Sequence, residues 1–169
     1  RKFSVAKNQH AVERNRQLVA KALGYEASAE PNYGLSMPEA APDKALQAPY
    51  VVSLHATSRA DKEWPEANWI ALGKWFAARG FASVFPSGNE REYERARRVA
   101  AAIAKAYALP PGSLDDIAVM LSHASAVIGV DTGLTHLACA FGKPTVALYC
   151  GSDPGLTGDR QRPVRRDRL

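Results

Sequence analysis

Short runs of Val, Ile and Ala alternate with helical patterns between residues 50 and 149. YVVSL (50–54) precedes EANWIALGKWFAAR (66–79), whose Trp69, Leu72, Trp75 and Phe76 fall on one side and which Gly80 ends. FASVF (81–85) leads through Pro86-Ser87-Gly88-Asn89 into a charged helix over 90–106. Beyond the loop Leu109-Pro110-Pro111-Gly112, Ser113 caps a helix to about His123. AVIGV (126–130) is a third strand, 134–141 a helix and PTVALY (144–149) a further strand. Apolar strands each followed by a helix predict an α/β fold, a parallel sheet with helices on both faces and right-handed crossovers. Ligands of such sheets collect at the carboxyl ends of the strands. That rule singles out residues 55–62, 86–92, 109–113, 131–136 and 150–155.

Before residue 50 the texture differs. Asn8 can cap a helix over 9–23, with Val12, Val19 and Leu23 on one face and Gly24 as its stop. Pro31, Pro38, Pro42 and Pro49 then punctuate a stretch with little apolar periodicity, which reads as a linker. The expected organisation is a helix and Pro-rich linker over 1–49, a domain over 50–158 and an Arg-rich tail over 159–169. The sequence opens on Arg1-Lys2 rather than Met, and a larger parent protein is expected.

Hydrophobic residues make up 46% of the chain and charged residues 23%, enough for a core and against wholesale disorder. No apolar run approaches the roughly 20 residues that span a bilayer. The net charge is +5, but the tail DRQRPVRRDRL carries five Arg against two Asp, so the body is only mildly basic. A basic face with interleaved aromatics is missing, which argues against nucleic acid. Cys139 and Cys150 lack CxxC spacing and read as two reduced, buried thiols.

Three of the strand-end loops carry candidate chemistry. At Asp131-Thr132-Gly133 a strand gives way to a helix, whose first N–H groups and positive dipole end suit a phosphate. Gly133 permits an unusual backbone or a close approach. Thr132 adds a hydroxyl, and His136 in the first turn can face the same space. Plain capping accounts for Asp131 or Thr132, but not for the whole set. In HATSRADKEWP (55–65), Thr57 and Ser58 offer hydroxyls and Arg59 and Lys62 cations, a set able to clamp a diphosphate or simply to line a solvated loop. Trp64-Pro65 anchors that loop on the next helix, and His55 reads as a structural histidine. Glu92 can accept hydrogen bonds from a ribose, or be an ordinary acid at a helix start. No GxxxxGK[ST], GxGxxG, DxD, HExxH, paired-Cys or GxSxG pattern occurs, so neither a P-loop, a dinucleotide fingerprint, a metal site nor a hydrolase elbow is suggested.

The stretches SLHATSRADKEWPEANWIALG (53–73), PSGNEREYERA (86–96) and VIGVDTGLTHLACAFGKPTVALYCGSDPGLTG (127–158) together resemble the carboxyl-terminal half of the heptosyltransferase family of GT-B glycosyltransferases. NQHAVERNRQLVAKALGY (8–25) resembles that family's lead into its second domain, and D-T-G-x-x-H (131–136) is the most specific motif. The resemblance implies a Rossmann-like domain that binds ADP-L-glycero-D-manno-heptose. Thr57, Ser58 and Lys62 would hold the diphosphate, Glu92 the ribose, and the backbone near Gly112 the adenine. Asp131 would meet the heptose, and Thr132, Gly133 and His136 the phosphates and sugar. The implied reaction is inverting, metal-independent transfer of heptose to Kdo of Kdo2-lipid A, without a cofactor, at the cytoplasmic face of the bacterial inner membrane. Lys62 would stabilise the departing ADP. The general base and most of the acceptor site would lie in an amino-terminal domain outside this sequence, so the chain alone is expected to bind donor without turnover. A non-catalytic ADP-binding module and a GT-B enzyme using another nucleotide sugar are the alternatives. The residues after Gly158 depart from the family pattern.

Overall fold

The computed structural model describes residues 1–27, 33–40, 46 and 49–157. The Arg-rich tail and much of the Pro-rich linker lie outside the described residues. The chain divides into two compact units, Arg1–Gly34 with Asp153–Leu169, and Leu35–Ser152.

The first unit contains α1 (Ala11–Leu23) and the short α6 (Pro154–Thr157). The N-cap of α1 is His10 rather than Asn8: its Nδ1 accepts from Val12 N at 3.2 Å. Gly24 ends the helix in the left-handed conformation and returns its N–H to Ala20 O, as the sequence led one to expect.

The second unit is a five-stranded, wholly parallel sheet in the order β3-β2-β1-β4-β5. Its strands are β1 (Tyr50–Leu54), β2 (Ala82–Phe85), β3 (Ala106–Ala108), β4 (Ala126–Val130) and β5 (Thr145–Leu148). Four helices alternate with them: α2 (Glu66–Ala77), α3 (Glu90–Ala101), α4 (Leu114–His123) and α5 (Gly133–Ala140). Every residue of β1 is buried, because the strand lies mid-sheet with helices above and below. Successive side chains point to opposite faces. Tyr50, Val52 and Leu54 therefore join Val84 and Val127 under Met120 and Leu121 of α4 and Ala138 of α5. On the other face Val51, Phe85, Ile128 and Val130 pack on Trp69 of α2 and Ala96 and Val99 of α3.

Three expectations need correction. The charged helix stops at Ala101, not at 106, and its expected last residue opens β3. The Ala-rich run 100–108 has helical propensity, but Lys105 adopts φ 58, a left-handed conformation that no helix continues through. Pairing of Ser83, Val84 and Phe85 with Ala106, Tyr107 and Ala108 then claims the segment for the sheet edge. Trp75 is half exposed, under the Arg79 guanidinium at 3.6 Å, whereas Trp69 is fully buried. Six residues on a helix turn through about 600°, which carries Trp75 off the face of Trp69. Finally, the thiols are not buried as expected: Cys150 is exposed and Cys139 only partly buried.

The sheet reverses its winding at the centre. From β1 the chain moves outward through β2 and β3, then crosses back to place β4 on the other side of β1. Crevices outside the carboxyl ends of two such strands are where open α/β sheets bind ligands. Here those ends are His55, after β1, and Asp131, after β4.

Candidate functional site

Asp131 is the centre of the site. It is 8% exposed, and three side chains, two from the loops after β1 and β5 and one from α5, meet its carboxylate. Lys62 Nζ donates to Oδ2 at 2.7 Å, and Ser152 Oγ donates to the same oxygen at 2.6 Å. His136 Nε2 lies 3.4 Å from Oδ1. Thr57 Oγ1 donates to the Asp131 carbonyl at 3.4 Å. Burial pushes the Asp131 carboxyl up, but the hydrogen bonds from Lys62 and Ser152 and the lysine charge outweigh it and hold the group below its ordinary range.

The helix start beside it is open to a ligand. Thr132 is the N-cap residue of α5, yet its side chain makes no capping hydrogen bond. The first N–H groups of a helix have no intrahelical partner, so those of Gly133 and Leu134 are free to take an anion at the positive end of the dipole. Simple capping, one of the two readings of this junction, is therefore not what Thr132 does. The expectation of an unusual backbone at Gly133 fails: its φ is not positive, and a Cβ there would meet nothing within 4 Å. What Gly133 contributes is clear space over the helix start.

Lys62 ends a 3-10 turn, Ala60–Lys62, in the loop after β1. Arg59 pairs with Asp61 across that turn rather than turning to Asp131. Ser58 is exposed. The loop ends on Trp64, whose ring meets Trp69 edge-on at 5.0 Å, the anchor expected of Trp64-Pro65.

The remaining expected residues lie at the ends of β2 and β3. Glu92 is bound locally: Oε2 accepts from Gly88 N at 2.7 Å and Oε1 from Asn89 Nδ2 at 2.8 Å, while Asn89 caps α3 through Glu92 N. Gly112 borders a hollow of about 370 Å³ walled by Pro86, Leu109, Pro111, Ile117 and Met120, apolar enough for a flat heterocycle. Ser87 also lines it; its hydroxyl is buried and has no hydrogen-bond partner among the described residues. Ser113 and Asp116 below it form a reciprocal capping box.

Two residues that matter here were missed at the sequence level. Ser152 follows β5 in one of the strand-end loops the sequence singles out, but a serine in a Gly/Asp/Pro loop gives no signal of its partner. Arg95 is buried at 9% exposure inside the charged helix. It donates to the carbonyls of His55 and Trp64, which bracket the loop holding Thr57 and Lys62. Its position one residue from Ala96 and four from Val99, on the apolar face, was the available clue.

His55 itself is fully buried, and burial, followed by the Arg95 charge, lowers its pKa to about 4. It is therefore a neutral structural residue, as read. Its ordinary value is about 6.5, so between pH 6.5 and 4 the unfolded chain takes up a proton that the folded chain refuses. The resulting stability is fully present above about pH 6.5 and is lost as pH falls through 4, by up to about 3 kcal/mol. Asp131 and Glu66, held below the ordinary carboxylate range, add their losses at lower pH. Urea unfolding at pH 7.0 and 4.5 should give clearly different midpoints; equal midpoints would remove His55 from this role.

Among the described residues, no group of three His, Cys, Asp or Glu side chains could hold a metal ion, and no helix is long and apolar enough to cross a membrane.

The sequence is 43% identical over 159 residues to lipopolysaccharide heptosyltransferase 1 of Salmonella typhimurium, covering 94% of this chain and 50% of that protein. The fold superposes on the Escherichia coli heptosyltransferase WaaC with ADP at a TM-score of 0.78 and 41% identity, covering 94% of this chain and 50% of that one. With the same enzyme holding ADP-2-deoxy-2-fluoro heptose the TM-score is 0.74 at 39% identity, over 93% of this chain and 51% of that one. The chain thus spans about half the length of the relatives it matches. The sequence profile of glycosyltransferase family 9 (heptosyltransferase) matches residues 1–167, nearly the whole chain, and the chain belongs to that family.

Proposed function

We propose that this chain is the donor-binding half of a lipopolysaccharide heptosyltransferase, holding ADP-L-glycero-D-manno-heptose for transfer to Kdo of Kdo2-lipid A. The observation that carries the reading is the convergence of Thr57, Lys62, Thr132 and the open start of α5 on Asp131, at the point where the sheet reverses its winding. The diphosphate takes the amides of Gly133 and Leu134, the Thr132 hydroxyl and Lys62. Thr57 and Ser58 flank it. The adenine lies in the hollow beside Gly112, and the ribose reaches Glu92. Asp131 and His136 meet the heptose. In this organisation residues 50–158 form the donor domain, and 1–49 the helix and linker leading into it.

In such a site the bond from the anomeric carbon to the phosphate oxygen breaks and charge gathers on ADP. Preorganised donors aimed at that charge lower the barrier most. Lys62 and the helix start are those donors, with no metal required of them. The base for the acceptor hydroxyl and most of the lipid contacts belong to a domain outside this sequence, at the cytoplasmic face of the inner membrane. The chain alone binds donor without turnover.

Calorimetric titration with ADP, ADP-heptose and UDP-sugars tests the reading. ADP-heptose should bind more tightly than ADP, and UDP-sugars least. Equal affinity for ADP and ADP-heptose points to a plain nucleotide module, and preference for a UDP-sugar to another GT-B enzyme. Lys62→Ala should weaken ADP binding by about 1.5–3 kcal/mol, the range of a charge-assisted hydrogen bond; an unchanged affinity removes Lys62 from the phosphate site. Gly133→Val should fold with stability within about 1 kcal/mol of wild type, since its Cβ meets open space, yet lose most ADP affinity by filling that space. Normal binding by the folded variant would show that the phosphates sit elsewhere.

A further inference from the structure

We infer that Ser152 is a positioning residue of this site: its hydroxyl fixes the Asp131 carboxylate so that the carboxylate keeps its orientation when a diphosphate draws Lys62 away. The inference rests on the donor-site reading above and names a residue that reading does not use.

The geometry sets up a competition. Lys62 and Ser152 both donate to Oδ2, leaving Oδ1 turned toward His136, whose side chain is 42% exposed. A lysine that serves the diphosphate is shared with it or lost to it. A carboxylate as buried as Asp131 cannot be left without a donor at small cost. Once Lys62 moves, Ser152 is, among the described residues, the remaining side chain bonded to Oδ2. A serine hydroxyl on a single rotatable bond defines the carboxylate plane better than a lysine on a four-carbon stem.

The loop that carries Ser152 is itself pinned. A Cβ on Gly151 would lie 2.7 Å from the Asp61 carbonyl oxygen and 2.9 Å from Asp61 Oδ2. Cys150-Gly151-Ser152 therefore lies directly against the 3-10 turn that ends in Lys62. One close contact places both donors to Asp131: the ammonium on one loop and the hydroxyl on the other. Among the described residues, the charged and titratable groups facing the carboxylate are Lys62, His136 and, more distantly, Arg59.

The test uses the whole chain as wild type, Ser152→Ala and Ser152→Thr. The Asp131 carboxyl is titrated by carbon-13 NMR without nucleotide, and ADP and ADP-heptose affinities are measured by calorimetry. In Ser152→Ala the carboxyl should titrate at higher pH than in wild type. The preference for ADP-heptose over ADP should fall about threefold to tenfold, with ADP affinity itself within about twofold, as expected for one hydrogen bond lost at the sugar side. Ser152→Thr, which keeps the hydroxyl, should restore both. An unchanged Asp131 titration in Ser152→Ala overturns the inference. So does a shifted titration with an unchanged preference, because the carboxylate's orientation would then not matter to the sugar. A wild-type chain that binds neither nucleotide overturns the donor-site reading instead, and the Asp131 titration then decides the Ser152 contact by itself.

Discussion

Gly129→Ala lowers the unfolding free energy of the chain by about 3–5 kcal/mol, a large part of what holds an ordinary domain together. The residue sits in β4 under Thr135 of α5. A Cβ there would stand 2.1 Å from Thr135 Oγ1, 3.0 Å from Leu54 Cβ and 3.2 Å from Leu54 Cδ1. The Leu54 Cβ cannot swing aside, being fixed to the paired backbone of β1 directly opposite. Thr135 can rotate, but only by breaking its 2.7 Å bond to the buried Val130 carbonyl. The methyl thus forces either a shift of α5 or an orphaned carbonyl. Overpacking costs about 1–3 kcal/mol and the lost buried acceptor about as much again. Because α5 begins at Gly133, a shift also moves Thr132 and His136 off the site, and ADP affinity should fall with stability. Denaturant unfolding of Gly129→Ala, Thr135→Ala and the double variant checks the cause. With Thr135 Oγ1 removed, the extra methyl should cost less than it does alone, a non-additivity only direct contact produces. Strict additivity, or a Gly129→Ala loss below about 1 kcal/mol, would show that the strand has room here.

That close approach explains why some of this molecule is readable from its residues and some is not. The junction after β4 was legible because one short segment holds the whole device: an apolar strand, a glycine inside it, Asp131-Thr132-Gly133, and a helix with His136 in its first turn. The glycine inside the strand and the one at the helix start do different things, however. Gly129 is required by packing, whereas Gly133 has open space and an ordinary backbone. Sequence cannot separate these cases, because the neighbour that decides the first is Leu54, on another strand. β3 was unreadable for the same reason. Three residues in an Ala-rich run carry too little local preference, and only the edge of β2 makes them a strand. Ser152 lies in a strand-end loop that the sequence points to, but a lone serine there does not name its partner, and Glu92 carries two meanings at once. Its carboxylate completes the Asn89 cap, which any acid at a helix start does, and that local bond neither supports nor opposes a ribose contact.

Replacing Arg95 by Met should cost about 3–5 kcal/mol, although its volume and apolar stem are largely kept. The guanidinium donates to the His55 carbonyl and, at 2.6 Å, to that of Trp64, and lies 3.6–3.8 Å from Glu66 and Glu63. Those two carboxylates, partly solvated and beyond hydrogen-bond distance, contribute less. The two carbonyls dominate, for they close the ends of the loop bearing Thr57 and Lys62, and His55 is wholly buried. A methionine leaves both acceptors unpaired in a low-dielectric interior. Lysine should not rescue the loss, since one ammonium lacks the planar fork that reaches two carbonyls at once. A second readout separates this from generic damage. Arg95 is one of the causes that depress His55, so in Arg95→Met the His55 pKa should climb from about 4 toward its ordinary value. The pH-dependent loss of stability between 6.5 and 4 should shrink in step, because burial alone then holds the imidazole neutral. ADP should bind more weakly as the Lys62 turn loosens. A variant with a lower unfolding midpoint but an unmoved His55 titration would mean that Arg95 only fills space. In that case the guanidinium would not be what ties the Lys62 loop to the sheet.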